Sequence, residues 1–375
     1  MPGTAPKTAT RLLTGLRFAE LADILASRTR AQAVRRWLLG GPGLPEQLPS
    51  RLAGVESGAW QRLAAHCRLP TADVNRAQTA SDGTTKLLVS MARGSVETVV
   101  IPARGRTTVC VSSQVGCTRA CRFCATARLG FSGHLMAGEI VAQVMLARRH
   151  APTDAPLRNV VFMGMGEPMD NLDEVLPAIE IMTDLPGLGL APSRVTVSTS
   201  GVVPGMRRFL RESQAALALS LNGSTDAQRE ALMPHTRTWP IPTLMEVLRE
   251  DVSRGSGRTY FIEYVLFQGV NDADEDALRV VALLSGLPVR VNLIPHNTIA
   301  DAVLGPPARE RTLAFQHVLL GEGIRSMVRW PRGDEIAAAC GQLARRSPES
   351  LPAQRAVSPH GTSPPNASGR PAQAK

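Results

Sequence analysis

The run Gly116-Cys117-Thr118-Arg119-Ala120-Cys121-Arg122-Phe123-Cys124-Ala125-Thr126-Ala127 decides how the rest of the chain is read. Its cysteines follow the spacing C-x3-C-x2-C. Iron–sulfur clusters ordinarily take four thiolates, so a four-iron cluster held by Cys117, Cys121 and Cys124 keeps one iron open to a small molecule. Other uses of close cysteines fit less well. Zinc sites take four ligands, often as two C-x2-4-C pairs, and the sequence has no second pair and no histidine inside the loop. Disulfide frameworks belong to secreted chains, whereas residues 1–17 lack the apolar segment of a secretory signal. No stretch of about 18 apolar residues is present to span a membrane. The expectation is a cytoplasmic, reducing setting, which suits a labile cluster.

Working outward, 107–111 reads as a strand feeding the loop and 137–149 as a helix leaving it. Strands recur at 159–163, 194–198, 216–221, 260–266 and 289–294, separated by helical stretches such as 172–183, 241–254 and 274–284. Alternating strands and helices predict an α/β fold with a parallel sheet whose working loops lie at the strand C-terminal ends. Six units are too few to close an eight-stranded barrel, so the expected architecture is an open (βα)6 partial TIM barrel over 107–343. Upstream, Phe18, Leu21, Ile24 and Leu25 keep an i, i+3, i+4 period. They open a small helical module over 11–75, rich in arginine at Arg28, Arg30, Arg35 and Arg36. Residues 76–106 form a short strand extension, with strands at 86–91 and 96–101 about a turn at Arg93-Gly94. The segments 1–10 and 344–375 read as disordered, the latter rich in Pro, Ser, Ala and Gly without an apolar period.

The hydrophobic share of 43% supplies a core of ordinary size. The net charge of +10 points to a polyanionic partner, most simply nucleic acid. The stretch 345–375 holds five basic residues and one acidic, so +6 remains for the rest of the chain. Solvated surface explains such a charge equally well.

The three-cysteine spacing, with Phe123 just before the last thiol, resembles the radical S-adenosylmethionine (SAM) enzymes. In that family the SAM amino and carboxylate groups occupy the open iron, and the fold is the partial barrel already expected. Polar groups follow the strands where such a ligand would lie. Gly164-Met165-Gly166-Glu167-Pro168 lets backbone approach closely at Gly166 and offers Glu167 to the SAM amino group. Ser198-Thr199-Ser200-Gly201, Ser220-Leu221-Asn222 and Asn292-Leu293-Ile294-Pro295-His296-Asn297 follow later strands. The expected SAM contacts are Gly166, Glu167, Ser198, Ser220, Leu221, Asn222 and Asn297. Each loop alone is also an ordinary polar strand end.

Three cysteines remain. Cys67 reads as a plain buried thiol. Cys110 lies on the strand feeding the cluster loop, and Cys340 lies in Arg332-Gly333-Asp334-Glu335-Ile336-Ala337-Ala338-Ala339-Cys340-Gly341-Gln342-Leu343. Glu97, Cys110, the cluster loop, GMGEP, SLN, NLIPHN and RGDEIAAACGQL occur in the order and approximate spacing of one family. Over residues 11–343 the chain resembles the radical SAM RNA adenine methyltransferases, dual-specificity enzymes of 23S rRNA and tRNA together with their relative that methylates adenine C8.

The resemblance implies methylation of an adenine carbon, C2 first, in 23S rRNA and also in tRNA. These carbons are electron-poor and cannot attack a sulfonium methyl, so a cofactor must carry a radical step. By resemblance, Cys340 takes a methyl from one SAM to become S-methylcysteine. A second SAM, at a 4Fe-4S cluster on Cys117, Cys121 and Cys124, is cleaved reductively, and the radical produced activates that methyl. Glu97 then accepts the ring proton, and Cys110 resolves the adduct, leaving a transient Cys110–Cys340 disulfide. An electron donor such as flavodoxin or ferredoxin and a monomeric state are expected. RNA contacts are expected from the N-terminal arginines and Arg325, Arg329 and Arg332, with a splayed adenine as target.

The chain departs from the family pattern at Asn222, where histidine is usual, at Glu335, where aspartate is usual, and over 298–311. The readings that stay open are C8 methylation, a divergent paralogue with another RNA substrate, a radical SAM enzyme on a different substrate, and an RNA-binding protein without SAM chemistry.

Overall fold

Val195-Thr196-Val197-Ser198-Thr199 and Ala216-Leu217-Ala218-Leu219-Ser220 are short apolar runs of the kind that parallel sheets bury on both faces. In a computed structural model, which describes residues 11–299 and 303–344, they lie at the centre of a ten-stranded sheet. The disorder expected for 1–10 and for the tail beyond Ala344 lies outside the described residues.

The chain begins with a short strand β1 (Arg11–Leu12), then α1 (Phe18–Leu25), α2 (Arg28–Gly40) and α3 (Ser57–His66). β2 (Cys67–Arg68) pairs in parallel with β1. α1 buries Phe18, Leu21, Ala22 and Leu25 but leaves Ile24 outside, so the apolar stripe is one residue narrower than its period suggests. Ser27 caps α2 by accepting from the Arg30 amide. Three antiparallel strands follow, β3 (Ala72–Thr79), β4 (Thr85–Met91) and β5 (Gly94–Ala103). The strand extension thus starts at Ala72, several residues before the expected 76, and β5 pairs with β6 (Arg106–Cys110), the first barrel strand.

The hairpin β7 (Gln114–Gly116) and β8 (Phe131–His134) brackets the cysteine loop. The remaining units are α4 (Ala137–Arg148), β9 (Leu157–Phe162), α5 (Leu172–Thr183), β10 (Val195–Thr199), α6 (Val203–Glu212), β11 (Ala216–Ser220), α7 (Asp226–Leu232), α8 (Ile241–Ser253), β12 (Tyr260–Leu266), α9 (Asp274–Leu284), β13 (Val289–Pro295), α10 (Arg309–Gly321) and β14 (Ser326–Val328). β6 and β9 to β13 are the six expected parallel strands, with β14 a short seventh at the edge. The order runs from β14 to β3 without returning on itself, so the barrel is open.

One hydrophobic core runs from Leu13 to Leu343 and takes in the N-terminal helices. Those helices dock on α4. Gly15 and Gly138 meet so closely that a Cβ on Gly15 would lie 2.8 Å from the Gly138 amide nitrogen, and Thr14 donates to the Gly138 carbonyl at 2.9 Å. Arg148 and Arg149 donate to the carbonyls of Leu39, Gly41 and Leu44. Among the described residues no helix is long and apolar enough to cross a membrane.

Candidate active site

The cysteine loop is an insertion in the β7–β8 hairpin, and backbone geometry fixes its neck. Gly116 has φ +84°, and a Cβ there would fall 1.9 Å from the Gly130 carbonyl oxygen. The Cys117 amide donates to that carbonyl at 2.9 Å, and the Cys124 amide to the Cys121 carbonyl. Phe123 packs against Phe267 with the rings tilted by 49° and their centroids 5.3 Å apart.

Cys117, Cys121 and Cys124 form part of one wall of a cavity that is partly open to solvent. The opposite walls are strand ends carrying Gly166, Glu167, Ser198, Ser220, Asn222 and Asn297, and Cys340 closes one side. Nearly the whole expected constellation therefore meets in one place. Leu221, Glu97 and Cys110 lie behind the lining.

Each rim residue is set by its strand. Gly166 has φ +108°, and a Cβ there would crowd Gln114 and Ser113 at 2.7 Å, so only glycine fits. Glu167 is buried, and Oε2 accepts from the Ser200 amide at 2.9 Å and hydroxyl at 2.8 Å, while Oε1 accepts from the Met169 amide. Burial pushes its pKa up, and these donors pull back. His235 meets the same Ser200 hydroxyl at 2.9 Å, and burial, with Arg119 and Arg229 nearby, pushes it down to about 4. The hydroxyls of Ser198 and Ser220 are 3.4 Å apart. Asn222 adopts a left-handed φ of 54°. Its Oδ1 accepts from the Val265 amide at 2.9 Å and its Nδ2 faces the Met233 sulfur at 3.5 Å. The Leu221 amide donates to the Glu263 carbonyl.

Two positioning residues escaped sequence reasoning. Arg229, buried on α7, donates to the carbonyls of Ser200, Ser220 and Leu221 and so ties the ends of β10 and β11 together. An arginine two turns beyond a strand carries no local signal of that job. Glu263 on β12 also lines the cavity.

Residues 333–344 form a strap that carries Cys340 across the cysteine loop. The Ala125 amide donates to the Gly341 carbonyl at 2.7 Å, Thr126 to the Leu343 carbonyl at 2.7 Å, and Asn297 to the Cys340 carbonyl at 3.0 Å. On its far side Lys86 donates to the Ala337 carbonyl at 3.1 Å and pairs with Glu97 at 3.2 Å. Glu97 Oε2 accepts from the Ala344 amide at 2.7 Å. Both oxygens of Glu97 are thus engaged in holding the strap. Glu335 accepts from the Ser81 amide.

Cys110 is buried at the end of β6. Burial, then the charge of Cys340, raises its pKa. Cys340 is exposed where it lines the cavity, and the nearby charges of Glu263 and Cys124 raise its thiol pKa. Both thiols are free. Of the arginines expected to contact RNA, Arg332 is bound to Asp82 and the Pro102 carbonyl, Arg329 to Asn292, Arg30 to Glu56, and Arg35 is buried against the Leu16 carbonyl. Arg28 lies over the Phe18 ring, while Arg36 stays exposed.

The donor set fits an iron–sulfur cluster better than a single ion. Among the described residues no three His, Cys, Asp or Glu side chains converge on one metal ion. The three thiols instead share a wall, as ligands to separate irons would. Burial holds Cys117 up to about 12 and Cys121 well above its ordinary value, a state that bound metal reverses.

Comparison with known proteins agrees. A profile of the Radical SAM superfamily matches residues 111–281. The dual-specificity RNA methyltransferase RlmN of Anaeromyxobacter dehalogenans is 41% identical over 336 residues, 88% of this chain and 89% of the relative. That of Anaeromyxobacter sp. strain Fw109-5 is 40% identical over 96% of both. The crystal structure of a radical SAM methyltransferase from Sphaerobacter thermophilus superposes with a TM-score of 0.82 at 38% identity, covering 90% of this chain and all of that one. The chain belongs to the radical SAM RNA methyltransferase family and is a SAM-dependent RNA methyltransferase.

Proposed function

We propose that the protein methylates C2 of an adenine in 23S rRNA, and also in tRNA, through an S-methylcysteine at Cys340 and a transient disulfide with Cys110. The observation that carries this reading is the meeting of two thiol systems. Cys340 shares one cavity with the three loop cysteines, and its charge reaches buried Cys110. An ordinary SAM-cleaving site needs no second pair of thiols.

In this reading Cys117, Cys121 and Cys124 hold one 4Fe-4S cluster, which supplies the electron that cleaves SAM and so the hydrogen-abstracting radical. Glu167, Gly166, Ser198, Ser220, Leu221, Asn222 and Asn297 bind SAM, two molecules of which are used per turnover. Glu167 is already held by three donors, so it offers the SAM ammonium an oriented carboxylate. Asn222 has one Nδ2 hydrogen left for a ribose hydroxyl. Cys340 carries the methyl group to the adenine carbon. Glu97 accepts the ring proton, which requires its strap-side hydrogen bond to Ala344 to yield. Cys110 attacks the Cys340 sulfur, forming the S–S bond as the C–S bond to the product breaks. The cytoplasm, a flavodoxin- or ferredoxin-type reductant and a monomeric enzyme complete the proposal. The helical module over 11–75 is assigned to RNA binding, with Arg36 among its exposed cations.

The test is an anaerobic assay of cluster-reconstituted protein with SAM, reductant and transcribed rRNA fragment or tRNA, digested and read by mass spectrometry. 2-Methyladenosine supports the reading. 8-Methyladenosine moves the chemistry to the other ring carbon, and deoxyadenosine without methylated RNA overturns the substrate assignment.

A further inference from the structure

The cavity that Cys340 lines also holds a carboxylate outside every sequence motif. Glu263 lies in the middle of β12, 7% exposed, within the apolar run Phe261-Ile262-Glu263-Tyr264-Val265-Leu266. Its Oε1 accepts from Asn292 Nδ2 at 2.7 Å, and Asn292 Oδ1 accepts from Arg329 Nε at 3.0 Å. Among the described residues nothing donates to Oε2. The other buried carboxylates of the site, Glu167 and Glu97, have both oxygens engaged. Glu263 and Cys340 line the same cavity, and the charge of Glu263 reaches the thiol strongly enough to raise its pKa.

We infer that Glu263 is the base that takes the Sγ proton of Cys340 while that thiol accepts a methyl group from SAM. The inference rests on the reading of Cys340 as methyl carrier. The S–H bond breaks and its proton passes to a Glu263 carboxylate oxygen. The freed sulfur electron pair forms the new S–CH3 bond, and the methyl–sulfonium bond breaks with its electrons returning to sulfur, giving S-adenosylhomocysteine. Nothing is oxidised or reduced.

A base is needed because a thiol beside the charge of Glu263, raised above its ordinary range, is mostly protonated at neutral pH. Other candidates are committed elsewhere. In the proposed function Glu167 faces the SAM ammonium, and Glu97, which takes the ring proton, lies behind the cavity lining against Lys86 and Ala344. Burial carries Glu263 up to about 7, with Asn292 and Arg329 drawing it back, so near neutrality it exchanges protons readily. The charged and titratable groups around it are Cys340 on the strap, Arg329 after β14, His296 after β13, Cys124 on the cysteine loop and Glu167 after β9. Asn292 and Arg329 act as positioning residues behind it.

The experiment compares reconstituted wild type, Glu263→Gln and Glu263→Asp, incubated anaerobically with SAM and no RNA. Methyl on the Cys340 peptide is measured by mass spectrometry across the neutral pH range. Wild-type loading should climb through pH about 7 and then level. Glu263→Gln should load at least about 100-fold more slowly, the usual scale of a lost general base, with Glu263→Asp recovering part. Alkylation of the same peptide by iodoacetamide gives a readout without SAM. Removing the neighbouring negative charge should move that curve to lower pH, so alkylation speeds while methyl loading slows. Equal loading in Glu263→Gln, or slowing of both reactions together, overturns the inference while Cys340 remains the carrier. A wild-type enzyme that never methylates Cys340 overturns the carrier reading, and this inference with it.

Discussion

The two sides of the cavity are built by different means. The rim is strand ends. Ser198 and Ser220 lie in the last two residues of their strands, Asn222 follows β11 by two, and Gly166 and Glu167 follow β9 by four and five, held by neighbouring strand ends and loops. The strap, 333–344, has no regular structure beyond one short 3-10 turn at Asp334–Ile336. It is placed by side chains far away in sequence, namely Asp82, Lys86, Glu97, Thr126 and Asn297. A rim held by a sheet is rigid, whereas a strap held by a few contacts opens at lower cost. The proposed cycle needs that division. SAM must be met by fixed groups, but Cys340 has to meet SAM, then adenine, then Cys110.

Exchanging the strap's thiol gives the largest expected effect. Cys340→Ala should abolish methyl transfer to RNA, measured as 2-methyladenosine, while leaving the sheet and rim intact. Cys110→Ala, on the rigid side, should instead accumulate a protein–RNA adduct, visible as a shifted band sensitive to ribonuclease. Normal turnover by the Cys110 variant would dissolve the proposed division of labour between the two thiols.

The strap's buried ion pair should dominate its stability. Lys86 and Glu97 have side chains only 7% and 2% exposed. Lys86→Met strands a buried carboxylate and should cost about 3–5 kcal/mol in anaerobic urea unfolding. Adding Glu97→Gln should return part of that loss. An unchanged midpoint in Lys86→Met would mean that the strap is held by backbone contacts alone.

The rim side carries its own electrostatic cost, set by pH. Burial raises Glu263 from an ordinary 4.5 to about 7 in the folded protein. The folded state therefore binds this proton more tightly than the unfolded chain. Its stabilising contribution is complete below about pH 4.5 and is lost as pH rises through about 7. Glu263→Gln lacks that loss, so relative to wild type it should gain up to about 3 kcal/mol between mildly acidic and mildly alkaline solution. Parallel urea curves at the two ends of that range measure it.

What was legible in the sequence follows the same line between rim and strap. Strands β6 and β9 to β13 showed themselves because burial on both faces demands apolar runs, and the cysteine loop because its ligands are local. β3 was hidden, since Ala72–Thr79 is polar along most of its length and buries little beyond Ala72. β14 is three residues long. Glu263 looked like one polar residue in a strand, because the sequence does not say which face of β12 lines the cavity. Arg229 and Lys86 act over contacts that no local pattern encodes. Arg332 and Arg329 looked like surface cations for RNA, because their partners Asp82 and Asn292 lie at 250 and 37 residues' separation.

Arg332 also gives the smallest and most diagnostic expected effect. It donates to Asp82 Oδ2 at 2.9 Å, to the Asp82 carbonyl at 3.1 Å and to the Pro102 carbonyl at 2.9 Å. Its side chain is 43% exposed, so the ion pair is worth about 1 kcal/mol at most. Asp82 keeps the Gly333 amide at 3.2 Å after the arginine is gone, so one anchor survives. Arg332→Ala should therefore leave the global unfolding midpoint nearly unchanged. The strap itself should open roughly five-fold more often, read as faster cleavage within 333–344 at low protease. In about 1 M salt the difference from wild type should shrink, because an exposed pair is screened. The Lys86→Met loss should persist in the same salt, because a buried pair is not. If both effects fade together, the strap is held by surface charge along its whole length. If neither fades, Arg332 acts through its two carbonyl contacts rather than through Asp82.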